Sequence, residues 1–153
     1  MFRVNQMTNV LQNYRKEIPK NDRILVFVQF PDLMKKVAEA LTANKIEFLE
    51  IRGTATQKSK NLEKFQNGSK ERVLLLNVMD ESASGANLTG ANHAIFLSPL
   101  LAVSQEQYDM CETQAVGRLR RYGQTKHVHV YRYLTTNTID MEIYEQRTKN
   151  LKV

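Results

Sequence analysis

Cysteine is almost missing from this chain: Cys111 is the only one among 153 residues. That excludes an internal disulfide and a thiolate metal cluster, and an intracellular protein is the expectation. Cys111 itself reads as an ordinary helix residue. No apolar run reaches the ~18–20 residues that a transmembrane helix needs. The opening Met-Phe-Arg-Val-Asn-Gln lacks the apolar core, ~7–15 residues long, of a secretory signal. A Gly-x-x-x-x-Gly-Lys-Ser/Thr phosphate loop is absent too. Gly123-Gln-Thr-Lys126 has the wrong order and no glycine before it at the right spacing. Internal repeats, low-complexity tracts and interior linkers do not occur.

What is there describes one ordinary domain. With 42% hydrophobic and 25% charged residues, the composition is that of a globular protein. A chain of this length buries about two-thirds of its unfolded surface. The formal charge of +6 favours an anionic partner, nucleic acid first.

The periodicities alternate. Phe2 to about Lys16 carries Val4, Met7, Val10, Leu11 and Tyr14 at helical spacing, and Pro19-Lys-Asn-Asp22 breaks it. Arg23 to Gln29 is a continuous apolar strand of the kind covered on both faces. Pro31 suits a helix start, and Leu33, Val37, Ala40 and Leu41 carry that helix to about Asn44. Phe48–Ile51 reads as a strand, and Thr56–Gln66 as a helix stopped by Asn67-Gly68. Arg72–Asn77 and His93–Leu97 are further strands, separated by the small-residue loop 80–87. A helix from about Gln105 to Arg121, a strand over His127–Leu134 and a helix from Thr138 to about Lys149 complete the chain. Strands alternating with helices predict an α/β domain with a mainly parallel sheet clad by helices on both faces. Ligands of such sheets bind beyond the carboxyl ends of the strands, where the loops after Gln29, Ile51, Asn77 and Leu97 converge.

The densest chemistry lies in Glu112-Thr-Gln-Ala-Val-Gly-Arg-Leu-Arg-Arg-Tyr-Gly-Gln124. On a continuous helix, Gln114, Arg118 and Arg121 would share one face and could meet one anion. Guanidinium forks suit phosphate oxygens. From residue chemistry alone, a solvated basic helix is an equal alternative. His127 and His129 alternate on one strand face, yet with His93 they make no convincing ligand set, and no metal site is expected.

Gln114-Ala, two residues, Arg118, two residues, Arg121 and then Gly123-Gln124 resembles the last motif of superfamily-two helicases, in its Swi/Snf-type form. The resemblance runs from about Arg23 to Arg147 in the family's motif order. Ile24-Leu-Val-Phe-Val-Gln-Phe30 resembles the strand that opens the second RecA-like lobe, with Val28 in place of the usual serine. Ile51-Arg-Gly-Thr54 resembles the family's Asp-Gly-Ser/Thr turn, with Arg52 for aspartate. Lys60 and Phe65 stand where the next helix usually has arginine and phenylalanine. Leu75 to Thr89 resembles the fifth motif, ending Gly85-Ala-Asn87-Leu-Thr89, with Asp80, Glu81 and Ser82 replacing a basic-Ala-Gly stretch. That exchange puts two anions beside the expected DNA path. Thr138-Ile-Asp-Met-Glu-Ile143 resembles the closing segment, and the Asp-Glu-Ser-Ala and Arg-Arg-Tyr-Gly-Gln wording is similar to fungal members.

The resemblance implies one RecA-like three-layer lobe over 21–153, preceded by a helix and loop over 1–20. It implies half of a DNA-dependent ATPase, inactive alone because the phosphate loop belongs to a first lobe. ATP with Mg²⁺ would be bound mainly by that lobe. Arg118 and Arg121 would be catalytic, and Gln114, Gly85, Asn87 and Gly117 would meet the nucleotide. Gln29, Arg52, Gly53, Thr54, Lys60, Asn77, Ser82 and Thr89 would face DNA. Implied partners are the first lobe and double-stranded DNA or a nucleosome, not a membrane. The implied setting is nuclear, in chromatin remodelling or DNA repair. Two rivals stay open: a non-catalytic nucleic-acid-binding or protein-docking module, and an RNA helicase lobe, against which the Gly-Gln argues.

Overall fold

A computed structural model describes residues 22–80, 86–133 and 139–148. Five strands, β1 (Ile24–Val28), β2 (Phe48–Glu50), β3 (Val73–Asn77), β4 (His93–Phe96) and β5 (His129–Arg132), form one sheet. Its order is β2-β3-β1-β4-β5, and every pairing is parallel. The helices are α1 (Pro31–Ala43), α2 (Ala55–Gln66), α3 (Gln105–Gly117) and α4 (Ile139–Thr148). The predicted helix over Phe2–Lys16 lies outside the described residues.

Parallel pairing dictates what the central strands contain. With helices crossing both faces, β1 and β4 are buried at every position, so unbroken apolar runs replace alternation. Alternate residues then feed two cores. Leu25, Phe27, Leu74, Leu76 and Phe96 face Phe65 of α2 and Tyr108 and Ala115 of α3. Ile24, Val26, Val28, Val73, Leu75 and Ile95 face Met34, Val37 and Leu41 of α1. Each fully buried aliphatic side chain contributes roughly 1.5–3 kcal/mol.

Local signals set the helix ends. Pro31 opens α1 where its missing N–H costs nothing. The helix closes with Lys45 in the left-handed region at φ 56°. The Lys45 N–H donates to the Thr42 carbonyl at 3.1 Å, and the Ile46 N–H to that of Leu41 at 2.9 Å. This is a Schellman closure with lysine where glycine is usual. Thr54 caps α2 in a reciprocal box with Gln57.

The arginine segment departs from expectation. Helix α3 stops at Gly117 instead of running to Arg121. The chain tightens there, Leu119 donating to the Val116 carbonyl at 3.0 Å. Glycine is a poor helix former, and the next two residues, Arg118 and Leu119, are both buried.

Candidate functional site

The connections from β1 through β3 move to one side of the sheet, whereas β4 and β5 lie on the other. Chain direction therefore switches at β1 and β4, the place where such sheets open a crevice at their carboxyl ends. Phe27 and Phe96, paired across those two strands, stack at 5.0 Å. The Arg118 guanidinium stands 5.9 Å from the Phe27 ring centroid.

Arg118 is only 3% exposed, and its Nε and Nη1 have no hydrogen-bond partner among the described residues. Buried unsatisfied donors cost about 1–3 kcal/mol each, more when charged. Burial pulls its basicity below the ordinary guanidinium value; the Arg121 charge pulls the same way and Asp80 opposes them. The backbone is fixed as well: the Arg118 carbonyl accepts from the Leu88 N–H at 3.0 Å. A rigid, dehydrated cation with free donors is chemically suited to an incoming phosphate.

Arg121 is exposed and donates from Nε to the Gly117 carbonyl at 2.9 Å. The two arginines thus feel each other's charge from different settings, not from one helical face. Gly123, at φ 101°, turns the chain back. Gln124 then ties that turn down, its Nε2 donating at 2.9 Å to the carbonyls of Ala91 and Leu119. Gly123 and Gln124 therefore act as the scaffold of the arginine turn.

The remaining site residues divide by what already holds them. Gln114 is exposed on α3, and a Cβ at Gly117 would meet nothing within 4 Å. The Asn87 Oδ1 accepts from the Thr89 N–H at 3.1 Å, which shapes the turn. Gly85 and Ser82 lie outside the described residues. Gln29 is occupied: its amide donates to the Leu101 carbonyl at 2.7 Å and accepts from the Leu101 N–H at 2.8 Å. It clamps the end of β1 to the loop after β4. The Asn77 Oδ1 accepts from the Met79 N–H at 2.8 Å, and the Thr54 hydroxyl caps α2. Gly53 sits at φ 95°, the left-handed region that favours glycine, and a Cβ there would lie 2.1 Å from the Gln57 Oε1 and displace it. Arg52 is exposed and only loosely paired, 4.0 Å from Glu50. Lys60 is exposed on α2 and makes no hydrogen bond or ion pair among the described residues. Arg52, Gly53 and Asn77 line one pocket of about 360 Å³; Arg118 is not part of it.

Two features escaped the sequence reading. Lys58 pairs with Asp80 at 2.7 Å beside that pocket. At the opposite end of the sheet, Asp22 accepts from His93 Nε2 at 2.9 Å, Lys126 Nζ at 2.7 Å and Asn92 Nδ2 at 3.2 Å. No spacing announces partners 71 or 104 residues apart. Among the described residues, no group of three His, Cys, Asp or Glu could hold a metal ion. His93 instead stacks on His129 at 4.8 Å.

Residues 5–123 match the family model described as the helicase conserved C-terminal domain. The chain belongs to that family. Its motifs make it the second RecA-like lobe of the Swi/Snf type, and fungal proteins are among its relatives. It is 50% identical over 144 residues to the DNA (cytosine-5-)-methyltransferase DMT5 of Cryptococcus neoformans, covering 93% of this chain and 6% of that protein. It is 33% identical over 135 residues to the DNA repair protein rad5 of Neurospora crassa, covering 87% of this chain and 10% of that one. The helicase lobe thus spans a small fraction of these relatives' lengths. The crystal structure of the C-terminal part of the Fun30 ATPase domain shares the fold, with a TM-score of 0.77 at 19% identity. That likeness covers 94% of this chain and 44% of the other.

Proposed function

We propose that this lobe is the second half of a DNA-dependent ATPase motor, completing an ATP site whose phosphate loop lies on a first lobe. The observation that carries the reading is Arg118, a buried guanidinium with two unpartnered donors over the Phe27 ring of β1. A buried cation with two free donors fits the γ-phosphate of ATP. The first lobe would hold the triphosphate and Mg²⁺, which supplies charge neutralisation of the phosphates. Arg118 and Arg121 would then meet the charge that spreads over the transferring phosphoryl oxygens, a role worth about 10³–10⁵ in rate for arginines so placed. Gln114, Gly85, Asn87 and Gly117 would shape the nucleotide's side of the cleft.

DNA would cross the strand ends on the pocket flanked by Arg52, Gly53 and Asn77, with Lys60, Thr54, Thr89, Ser82 and Gln29 near the path. Backbone contacts would dominate, giving grip without sequence readout. A formal charge of +6 supports such a partner. Relatives that are named as a DNA methyltransferase and a DNA repair protein support a nuclear parent that works on DNA or chromatin.

The test is ATP hydrolysis by the longer protein that carries this lobe, with and without duplex DNA. Arg121→Ala should lower DNA-stimulated turnover by about 10³-fold or more while ATP affinity stays close to wild type. Turnover within twofold of wild type would sink the assignment. It would leave a phosphate-gripping module in its place.

A further inference from the structure

Helix α2 begins at Ala55, directly after the Gly53 turn, so its N-terminal end and its partial positive charge open beside the 360 Å³ pocket. Around that pocket stand three cations, Lys35, Arg52 and Lys58. Two acids share its wall, Asp32 and Asp80. Asp80 is the one engaged: its Oδ2 sits 2.7 Å from Lys58 Nζ, and both side chains are largely buried, 16% and 25% exposed. Its backbone is held too, the Asp80 N–H donating to the Asn77 carbonyl at 3.1 Å. The carboxylate thus sits on the lysine that a phosphate in this pocket would meet.

We propose that Asp80 is a resident counter-anion, an intramolecular stand-in for a nucleic-acid phosphate that masks Lys58 until a phosphate displaces it. The inference rests on the reading of this pocket as a nucleic-acid face. Masking lowers affinity for the polyanion and makes one lysine conditional: it counts toward binding only once its carboxylate partner has been displaced. Asp80 also tempers Arg118, whose charged form its field favours.

The experiment is a double-mutant cycle on the chain, with duplex DNA binding measured by fluorescence anisotropy across a salt series. Asp80→Asn should tighten binding about two- to fivefold, the scale of a partly exposed ion pair. The log-affinity against log-salt slope should steepen by about 0.9, one further phosphate contact. Lys58→Gln should abolish the gain in the Asp80→Asn background. Asp80→Glu, which keeps the charge, should bind as wild type does and guards against a folding artefact. A gain in Asp80→Asn that survives Lys58→Gln overturns the proposal, because general charge would explain it. So does unchanged binding in Asp80→Asn. In either case, weakened binding in Arg52→Gln keeps the nucleic-acid face itself standing. If no variant binds DNA, the face and the counter-anion fall together.

Discussion

A buried guanidinium with unpartnered donors is unfavourable for the fold that contains it. Arg118 is dehydrated, crowded by the charge of Arg121 and partnered by an aromatic face in place of oxygens. Replacing it by Met should therefore raise the lobe's unfolding free energy by roughly 1–3 kcal/mol, read from chemical denaturation. A loss of stability would show that Arg118 is structural. The sequence made the arginines legible as a set, through their spacing and the glutamine and glycines around them. Their division of labour was not legible. Arg118 goes inside and Arg121 stays out because α3 ends between Gly117 and Leu119, and no residue pattern states a helix end that tightly. Gln29 shows the same limit. Its amide is held by the Leu101 backbone 72 residues away, which no local signal reveals.

Elements were easier to read than their neighbours. Parallel strands covered on both faces advertise themselves as apolar runs, so β1, β3 and β4 fell where the sequence placed them. β5 starts at His129, two residues later than expected, and Arg132 is its last residue, while the expected end at Leu134 lies outside the described residues. At α1 the closing residue is at odds with its conformation. Lys45 adopts positive φ, which costs a residue with a Cβ about 1 kcal/mol relative to glycine. Lys45→Gly should stabilise the lobe by about that amount, leaving the Leu41–Ile46 contact in place. Thermal denaturation checks it, and an unchanged or lowered midpoint would mean that the lysine side chain contributes more than its backbone loses.

Across the whole molecule, the two ends of the sheet carry different chemistry. The carboxyl end holds the pocket and an apolar rim of Phe30, Met79, Leu101 and Val103, all exposed. The amino end is closed by polar bonds around Asp22. Three donors hold the Asp22 carboxyl far below the usual carboxylate range, against a burial penalty that acts the other way. Burial is the larger influence on His93 and keeps its imidazole below 6.5, opposed by Asp22 and aided by His129 and Arg72. A neutral His93 donates from Nε2 to Asp22 and accepts at Nδ1 from the Tyr131 hydroxyl, 3.2 Å away. Both shifts leave the unfolded chain binding more protons. Stability should therefore begin to fall as pH drops below 6.5, the ordinary imidazole value, and fall again below 3.8 as Asp22 titrates. His93→Gln should remove the first stage alone. Denaturation midpoints followed from about pH 7 to pH 5 would show it, and an identical slope in the variant would exonerate His93.

Return, finally, to the unpartnered donors of Arg118. A lobe that no longer met an anion would gain from almost any apolar replacement there, and random substitution offers many. Drift would then erase the arginine long before it erased the sheet. On the proposed reading, the interior guanidinium is the feature that an incoming phosphate would keep in place.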